Sequence, residues 1–426
     1  EFKDLFDLVE KSKKNLFVTG KAGSGKSTLI EYIRKNTKKN IAILAPTGIT
    51  AIKARGQTVH SFFKFPPRFI SKDDVKVLRE REHIQRLETL LIDESSMLRA
   101  DIFDAIDLSL KKNRGNKKPF GGVQIILFGD LLQLPPVVSS IDEEVMEKFY
   151  PKGEFFFNSK SFPLGEFVTH ELSKIFRQKE KNFIDLLNKI RIAKINDKEL
   201  SFLNKRIITN KEELEKGTII LAPRNKKVDS INNERLNELP GEVYEFNASI
   251  SGSFQENEYP VAKTLYLKVG AQVMITKNDT STPQKWVNGT LGIIESLEGE
   301  KIKIKINNRV YYLGKVKWEK VNYRLKGNKI NPIPVATFIQ YPLKLAWAAT
   351  IHKSQGQTFD KVAIDLDKGS FTHGQTYVAL SRAKSIEGIT LIRKIKDTDL
   401  IYDKKVFDFS DLELEGKYIK DDSEEI

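Results

Sequence analysis

The sequence predicts an α/β protein with two parallel-sheet domains, the second split by a small inserted β-barrel. Three observations carry that reading. Strand-length apolar runs precede turn residues and helical patterns at "NLFVTG" (15), "IAILAP" (41), "TLLIDE" (89) and "QIILFGD" (124). This is the alternation expected of βα units around a buried parallel sheet. A second set recurs at "TIILAP" (218), "KVAIDL" (361) and "GITLIR" (388), which reads as one sheet interrupted by an insertion. Across 242–342 the pattern changes to alternating strands and glycine turns, as in "LKVGAQVMI" and "GTLGIIESLEGEKIKIKI". Strict alternation in "KIKIKI" (301–306) turns the isoleucines to a core and the lysines to solvent. No fixed-period repeat or low-complexity tract is visible.

The size supports this division, since 426 residues at 40% hydrophobic content correspond to two or three domains of about 150 residues each. Lysine and arginine number 71 against 57 acids, a formal charge of +14. Such a balance favours a polyanionic partner through phosphate contact and counterion release, although a merely lysine-rich surface gives the same number. Residues 411–426 hold seven acids and two lysines, which leaves +19 on the first 410 residues. With no cysteine, disulfides, thiolate metal sites and cysteine nucleophiles are excluded. The five histidines show no zinc-like spacing. No apolar run approaches the ~20 residues of a membrane span, and no charged-then-apolar leader opens the chain. The expectation is a soluble, cytoplasmic protein with no membrane partner. The chain begins at Glu1 without methionine, so a trimmed start is expected.

The first element with chemistry is "GKAGSGKST" (20–28), placed between a strand and the helical pattern "STLIEYIRKN". It fits G-x-x-x-x-G-K-[ST]. Its glycines let backbone N–H groups close round phosphate oxygens, and the following helix points its positive end at them. Gly23, Ser24, Gly25, Lys26, Ser27 and Thr28 are the candidate nucleotide contacts, with Lys26 reaching the β- and γ-phosphates and Ser27 ligating Mg²⁺. "LLIDES" then puts Asp93 and Glu94 at the end of a buried strand, 67 residues beyond Lys26. Asp93 is expected to hold Mg²⁺, and Glu94 to polarise the attacking water. Alone, this pair also reads as a strand cap. "LFGDLLQLPPV" (127–137) ends another strand with Asp130 and Gln133, stiffened by Pro135 and Pro136. Its neutral amide can bond the γ-phosphate or the water without adding charge; an ordinary strand exit is the plainer alternative.

For nucleic acid, "APTGITAIKARGQTVHSFFKFPPRF" (45–69) is the richest candidate. Thr47, Gly48 and Thr58 permit close approach to phosphates. His60, Phe62, Phe63 and Phe65 offer rings for base stacking, and Lys64 and Arg68 add charge. At least half of these phenylalanines are expected in the core. "ATIHKSQGQT" (349–358) has the same character, with Thr350, His352, Lys353 and Ser354 in a glycine-ended loop.

In this order the motifs resemble those of superfamily 1B helicases, most closely the petite integration frequency (Pif) helicases, relatives of RecD. The matching text includes "GKAGSGKST", "LLIDESSML", "FGDLLQLPPV", "LSKIFRQ", "LAWAATIHKSQGQTFD" and "YVALSRAKS", within a span of 16–391. The resemblance implies an α/β fold of two RecA-like parallel-sheet domains (P-loop NTPase) with an SH3-like β-barrel insertion. On that pattern residues 1–165 form domain 1A, with a small wedge, 1B, at about 56–75. Residues 166–241 and 343–426 form domain 2A, and 242–342 the inserted domain 2B.

The resemblance further implies ATP and Mg²⁺ as cofactors and 5′-to-3′ movement on single-stranded DNA. It also implies action on duplex junctions, G-quadruplexes or RNA–DNA hybrids, in replication, repair, recombination or telomere-type maintenance, by a monomer associated with a bacterial-type nucleoid. Lys26, Ser27, Asp93, Glu94, Gln133, Arg177, Gly356 and Arg382 would serve ATP, the two arginines as guanidinium groups on the transferred phosphoryl. Thr47, Gly48, His60, Thr350, His352 and Lys353 would serve DNA, beside Thr58 and Phe63. Such helicases often carry an upstream glutamine that reads adenine; residues 1–19 contain none, which is expected of a trimmed start or relaxed base selectivity. A superfamily 1B RNA helicase and a P-loop kinase or switch NTPase are the alternatives. The latter leaves 165–426 without a role.

Overall fold

A computed structural model describes residues 2–410 apart from 175–177, 179, 211–213 and 282–283. Contacts divide it into two compact units. The first comprises Glu1–Phe176, Gly252–Glu258 and Glu319–Thr337; the second comprises Arg177–Ser251, Tyr259–Trp318 and Phe338–Ile426.

The first unit is built on six strands: β1 (Leu16–Gly20), β2 (Ile41–Ala45), β3 (Gln57–Thr58), β4 (Thr89–Ile92), β5 (Gln124–Phe128) and β6 (Val168–Leu172). They lie in the order β3-β2-β4-β5-β1-β6, and every pair is parallel. The inner strands β4 and β5 are buried along their whole length, which explains why they read as unbroken apolar runs instead of alternating ones. Leu29, Ile30 and Ile33 of the helix Lys26–Asn36 cover one face, packed with Leu16, Val18, Ile43 and Phe128. Phe103, Phe120, Phe156, Phe162 and Phe167 make a ring cluster elsewhere in the unit.

Two strands escaped the sequence pattern. β3 has only two residues, and β6 buries only Leu172. Because β6 pairs with β1 from Leu16↔Val168 to Gly20↔Leu172, the first sheet extends past the domain limit expected at 165.

The later pieces of this unit have a physical reason to be there. β3 reaches only Leu44 and Ala45 of β2, and the Ile43 N–H instead donates to Tyr323 Oη at 3.0 Å. Tyr323 is 6% exposed, and burial pushes its hydroxyl up to about 12. Gln57 Nε2 donates to Asn322 Oδ1 at 2.8 Å, and the Ile330 N–H donates to Asn40 Oδ1 at 3.2 Å. Residues 319–337 therefore group with the first sheet, although the sequence placed them in the insertion.

In the second unit β7 (Ile219–Ala222) leads into the helix Asn225–Glu238 and then the insertion. The insertion's strands are β8 (Tyr244–Asn247), β9 (Ser249–Gly252), β10 (Thr264–Leu267), β11 (Gln272–Ile275), β12 (Leu291–Glu298), β13 (Lys301–Ile306), β14 (Arg309–Leu313), β15 (Val316–Lys326), β16 (Lys329–Gln340) and β17 (Leu343–Leu345), of which β15 and β16 run mostly through the 319–337 stretch of the first unit. β14-β13-β12-β11-β17 form an antiparallel sheet over a core that includes Ile302, Ile304 and Ile306. These are the isoleucines of "KIKIKI". The chain then supplies β18 (Ala348–Thr350), β19 (Val362–Ile364) and β20 (Ile389–Leu391), which join β7 in a parallel sheet ordered β18-β7-β19-β20.

Candidate functional site

In a parallel sheet, ligands collect beyond the carboxyl ends of the strands, and the first unit puts its candidate residues there. β1 ends on Gly20 and turns through 21–25 into the helix Lys26–Asn36. Gly23 and Gly25 have φ values of 81° and 93°, where a side chain would strain the turn. The Lys26 ammonium donates to Gly20 O at 2.5 Å and to Lys21 O at 3.1 Å, so it lies over the loop. Ser27 and Thr28 are exposed on the first helical turn, which carries no acid, and Ser24 is buried. That helix end suits an anion.

β5 lies between β4 and β1 in the sheet, so the segments leaving all three strands meet at one edge. After β4 come Asp93, whose N–H donates to Leu44 O, and Glu94, whose N–H donates to Asp93 Oδ1 at 2.9 Å. Asp93 keeps partial solvent access, yet the protein packed round its carboxyl, and then the Glu94 charge, raise it well above the usual carboxylate range; the Glu94 N–H, Lys26 and Lys53 pull the other way. Glu94 has φ 52° and ψ 45°. That left-handed conformation is costly for a residue with a side chain, and such strain gathers at functional sites. Next to it the Ser95 and Ser96 hydroxyls are buried without a hydrogen-bond partner among the described residues. After β5, a Cβ on Gly129 would come within 2.5 Å of Ser95 Oγ, so only glycine fits. Asp130 and Gln133 come next, both buried, with Gln133 Nε2 donating to Asp130 Oδ2 at 2.9 Å. The edge thus gathers Lys26, Asp93, Glu94 and Gln133 as the sequence expects. The two serines and Gly129 were not singled out, because small residues after a strand carry no signal of their own.

The expected DNA residues of this unit lie beyond β2 and β3. Thr47 caps the helix Gly48–Lys53 and accepts from the Thr50 N–H, and Thr58 caps Val59–Phe63 and accepts from the Ser61 N–H. Glu258 lies against Gly48, its Cα 3.3 Å from where a Cβ would stand. Glu258 is held by Lys320 at 2.7 Å. His60 is partly buried, and burial, then the Arg99 charge, lower its imidazole. The rings need a correction. Phe62, Phe63 and Phe65 are 2%, 2% and 6% exposed, and Phe63 is stacked on Phe65 at 5.3 Å. These phenylalanines are core, and Phe63 presents no face to a base. Lys64 and Arg68 remain exposed, the latter paired with Asp74 at 2.6 Å.

Sequence reasoning also missed the buried charges behind this segment. Arg99 binds Asp101 and Asp142 at 2.6 and 3.0 Å. Those carboxylates in turn accept the backbone N–H groups of Ile70 and Phe69. Arg99 and Asp101, with Asp142 from 43 residues further on, fix the backbone of the expected wedge.

In the second unit Thr350 ends β18, is 4% exposed, and accepts the Lys353 N–H at 3.2 Å. His352 is partly buried, which lowers its imidazole, and Lys353 is exposed. Gly356 has φ 74° and is exposed. Arg382 is 1% exposed. Its guanidinium donates to Val378 O at 2.8 Å, Gln357 O at 3.3 Å, Ser354 O at 3.4 Å and Ser381 Oγ at 2.8 Å. It pins the Gly356 loop to the helix Gln375–Leu380 of its own unit. Arg177 lies outside the described residues. Among the described residues no cluster of three or more His, Asp or Glu side chains is placed to hold a metal by itself, and no helix is long and apolar enough to cross a membrane.

Residues 2–201 match the family model of the PIF1-like helicases. The human ATP-dependent DNA helicase PIF1 is 33% identical over 89% of this chain, which spans only 58% of that protein's length. The ATP-dependent DNA helicase Pif1 of Bdellovibrio bacteriovorus is 32% identical over 94% of this chain and 88% of its own. Unliganded Pif1 from Bacteroides sp. is 39% identical, with a TM-score of 0.89 over 98% of this chain and 97% of that one. Bacteroides Pif1 is also solved with ADP-AlF4 (TM-score 0.89) and with single-stranded DNA (0.70), each 38% identical over 96% of this chain and 95% of that one. The two parallel sheets are accordingly RecA-like domains, and the chain belongs to the PIF1-like helicase family.

Proposed function

We propose that this chain is an ATP-dependent DNA helicase that moves 5′ to 3′ along single-stranded DNA and opens the duplex ahead of it. The observation that carries the reading is the convergence of the Lys26 loop, Asp93–Glu94 and Gln133 on one sheet edge of the first unit. Hydrolysis of a phosphoanhydride needs little covalent chemistry from a protein; it needs positioning and opposite charge. Loop N–H groups and Lys26 take the phosphates, Glu94 orients and deprotonates the attacking water, and the Gln133 amide reports the γ-phosphate. A Mg²⁺ ion suits the donor set of the Ser27 hydroxyl and Asp93 carboxyl, since this cation prefers hard oxygens and takes one or two carboxylates beside phosphate. Bound there, it would neutralise charge on the β- and γ-oxygens. The orphaned Ser95 and Ser96 hydroxyls beside Glu94 support a polar ligand at this edge.

Single-stranded DNA is assigned to Thr47, Gly48, Thr58, His60, Thr350, His352 and Lys353, with duplex junctions and G-quadruplexes as the structures opened. The Bacteroides Pif1 complexes with single-stranded DNA and ADP-AlF4 support binding of both ligands here. Arg177 and Arg382 are assigned to the transferred phosphoryl, and for Arg382 this requires exchange of its present carbonyl partners. The inserted sheet is read as an SH3-like domain 2B, and the protein as a monomer acting at the nucleoid.

Matched duplexes with a 5′ or a 3′ single-stranded tail test the reading. ATP-dependent unwinding of the 5′-tailed duplex alone is expected, with hydrolysis stimulated by single-stranded DNA more than by RNA. Hydrolysis indifferent to any strand would return the protein to the switch NTPases.

A further inference from the structure

The strands β18, β7 and β19 are neighbours, so the loops leaving their carboxyl ends meet at one edge of the second unit. Arg224 comes after β7, His352 and Lys353 come after β18, and Phe371 stands on the loop after β19. The Phe371 and His352 rings are within 13° of parallel, with centroids 6.1 Å apart. The Arg224 guanidinium lies over the Phe371 ring, 5.2 Å from its centroid. With both contacts made, Phe371 is still 45% exposed. Its backbone N–H donates to Gln375 Oε1 at 3.1 Å, and Gln375 itself is 1% exposed. A lone exposed phenylalanine needs no explanation. Here, though, three loops hold three flat groups together at the surface, and the ring's loop is anchored in the core. Stacking on such a platform tolerates any base, because every base has a π face. The surrounding charge fits a polyanion: Arg224 meets Asp367 only at 3.8 Å, and Lys353 and Lys368 are exposed.

We propose that Phe371, ordered by Arg224 and His352, is a stacking site for a nucleobase of the bound single strand, while the adjacent cations take its phosphates. The proposal rests on the reading that single-stranded DNA binds this edge, and it adds two residues, Arg224 and Phe371, that no motif marks. It also gives His352 a role: its imidazole continues the stack and is held in orientation by Phe371.

The test is equilibrium binding of the full chain to a labelled oligonucleotide just long enough to bind, and to a set carrying one abasic site at each position. Wild type is expected to lose roughly 5- to 150-fold in affinity at one position of the set, the range of a single base–aromatic stack. Phe371→Ala should bind the intact strand more weakly by a similar factor and be indifferent to that position, while Phe371→Trp keeps both the affinity and the positional loss. The proposal is overturned if Phe371→Ala binds the intact strand like wild type, or if it retains the positional loss. A wild-type chain that binds no strand at all sinks the helicase reading together with it, and is distinguished by the first titration alone.

Discussion

The carboxyl edges of the two parallel sheets are built on the same plan and present different groups. At the edge of the first unit ionisable groups stand in a strained setting. Glu94 sits in a left-handed conformation, the Asp93 carboxyl is raised by burial and by Glu94, and the buried Ser95 and Ser96 hydroxyls have no partner among the described residues. At the edge of the second unit two groups are matched, while Gln357 Oε1 and Gln375 Nε2 are buried without a partner among the described residues. Arg382 has four acceptors, and the Thr350 hydroxyl caps the Lys353 N–H. What that edge presents is flat: Phe371, the Arg224 guanidinium and the His352 imidazole. Preorganised ionisable groups in strained backbone suit a changing charge distribution, whereas exposed planes with a buried, four-acceptor arginine behind them suit binding without chemistry. The contrast teaches that the sheet sets where a ligand goes, and the loops set whether it reacts.

Removal of the Glu94 charge strikes the comparison hardest. Glu94→Gln keeps the size and removes the base, so single-turnover hydrolysis should fall by about 10² to 10⁴ while nucleotide still binds. Near-normal turnover would take the water-activating role away from the strained carboxylate. Lys26→Ala comes next, with an expected loss of about 10² to 10³ in hydrolysis, the effect of deleting one preorganised donor to developing charge. Strand binding measured on the same variant should survive, since the residues assigned to DNA lie beyond other strands. A folded Lys26→Ala protein that no longer binds the strand would mean that the two functions share one edge.

The second edge predicts a different kind of failure. Arg382→Lys keeps the charge but not the fork that reaches Val378, Ser354 and Gln357 together. Loss of charge-assisted bonds to buried carbonyls should cost about 1.5–3 kcal/mol of stability, read from urea unfolding. Amide exchange over 352–358 should rise at the same time. A variant as stable as wild type, with the loop still protected, would show that Arg382 is held loosely and is free for the phosphoryl role.

How much of the fold and the site was legible in the sequence depends on what a residue needs to announce itself. β4 and β5 are buried on both faces and so read as apolar runs, and the alternation of β13 survives because only one face is buried. β3 and β6 have no such pattern, since one is two residues long and the other keeps four of its five residues out of the core. The grouping of Lys26, Asp93, Glu94 and Gln133 at one edge was legible because a phosphate-binding loop has a fixed spacing and strand ends are marked by apolar runs. Phe63 was misread because a ring intended for stacking and a ring intended for packing have the same letter. Arg224 and Phe371 could not be found at all: the stack joins loops 147 residues apart in the sequence, and only the strand order β18-β7-β19 makes them neighbours.

The smallest effect is a response of the first unit to acid. His83 packs edge-on against Phe62, 5.2 Å from its centroid, beneath the Val59–Phe63 helix. Burial, then the Lys64 charge, lower its imidazole to about 4, with Glu80 opposing and Arg324 adding to the shift. The unfolded chain binds a proton at the ordinary value of about 6.5. As pH falls below that value the unfolded state takes up the proton first, so stability declines from about 6.5 down to about 4 and levels off below. In His83→Gln that contribution is missing. Its unfolding midpoint in urea should therefore drop less than the wild-type midpoint between pH 7.5 and pH 5. Carboxylates that titrate in the same window affect both proteins alike and cancel in the difference. Equal drops would place His83 in a solvated setting and move the acid response elsewhere in the first unit.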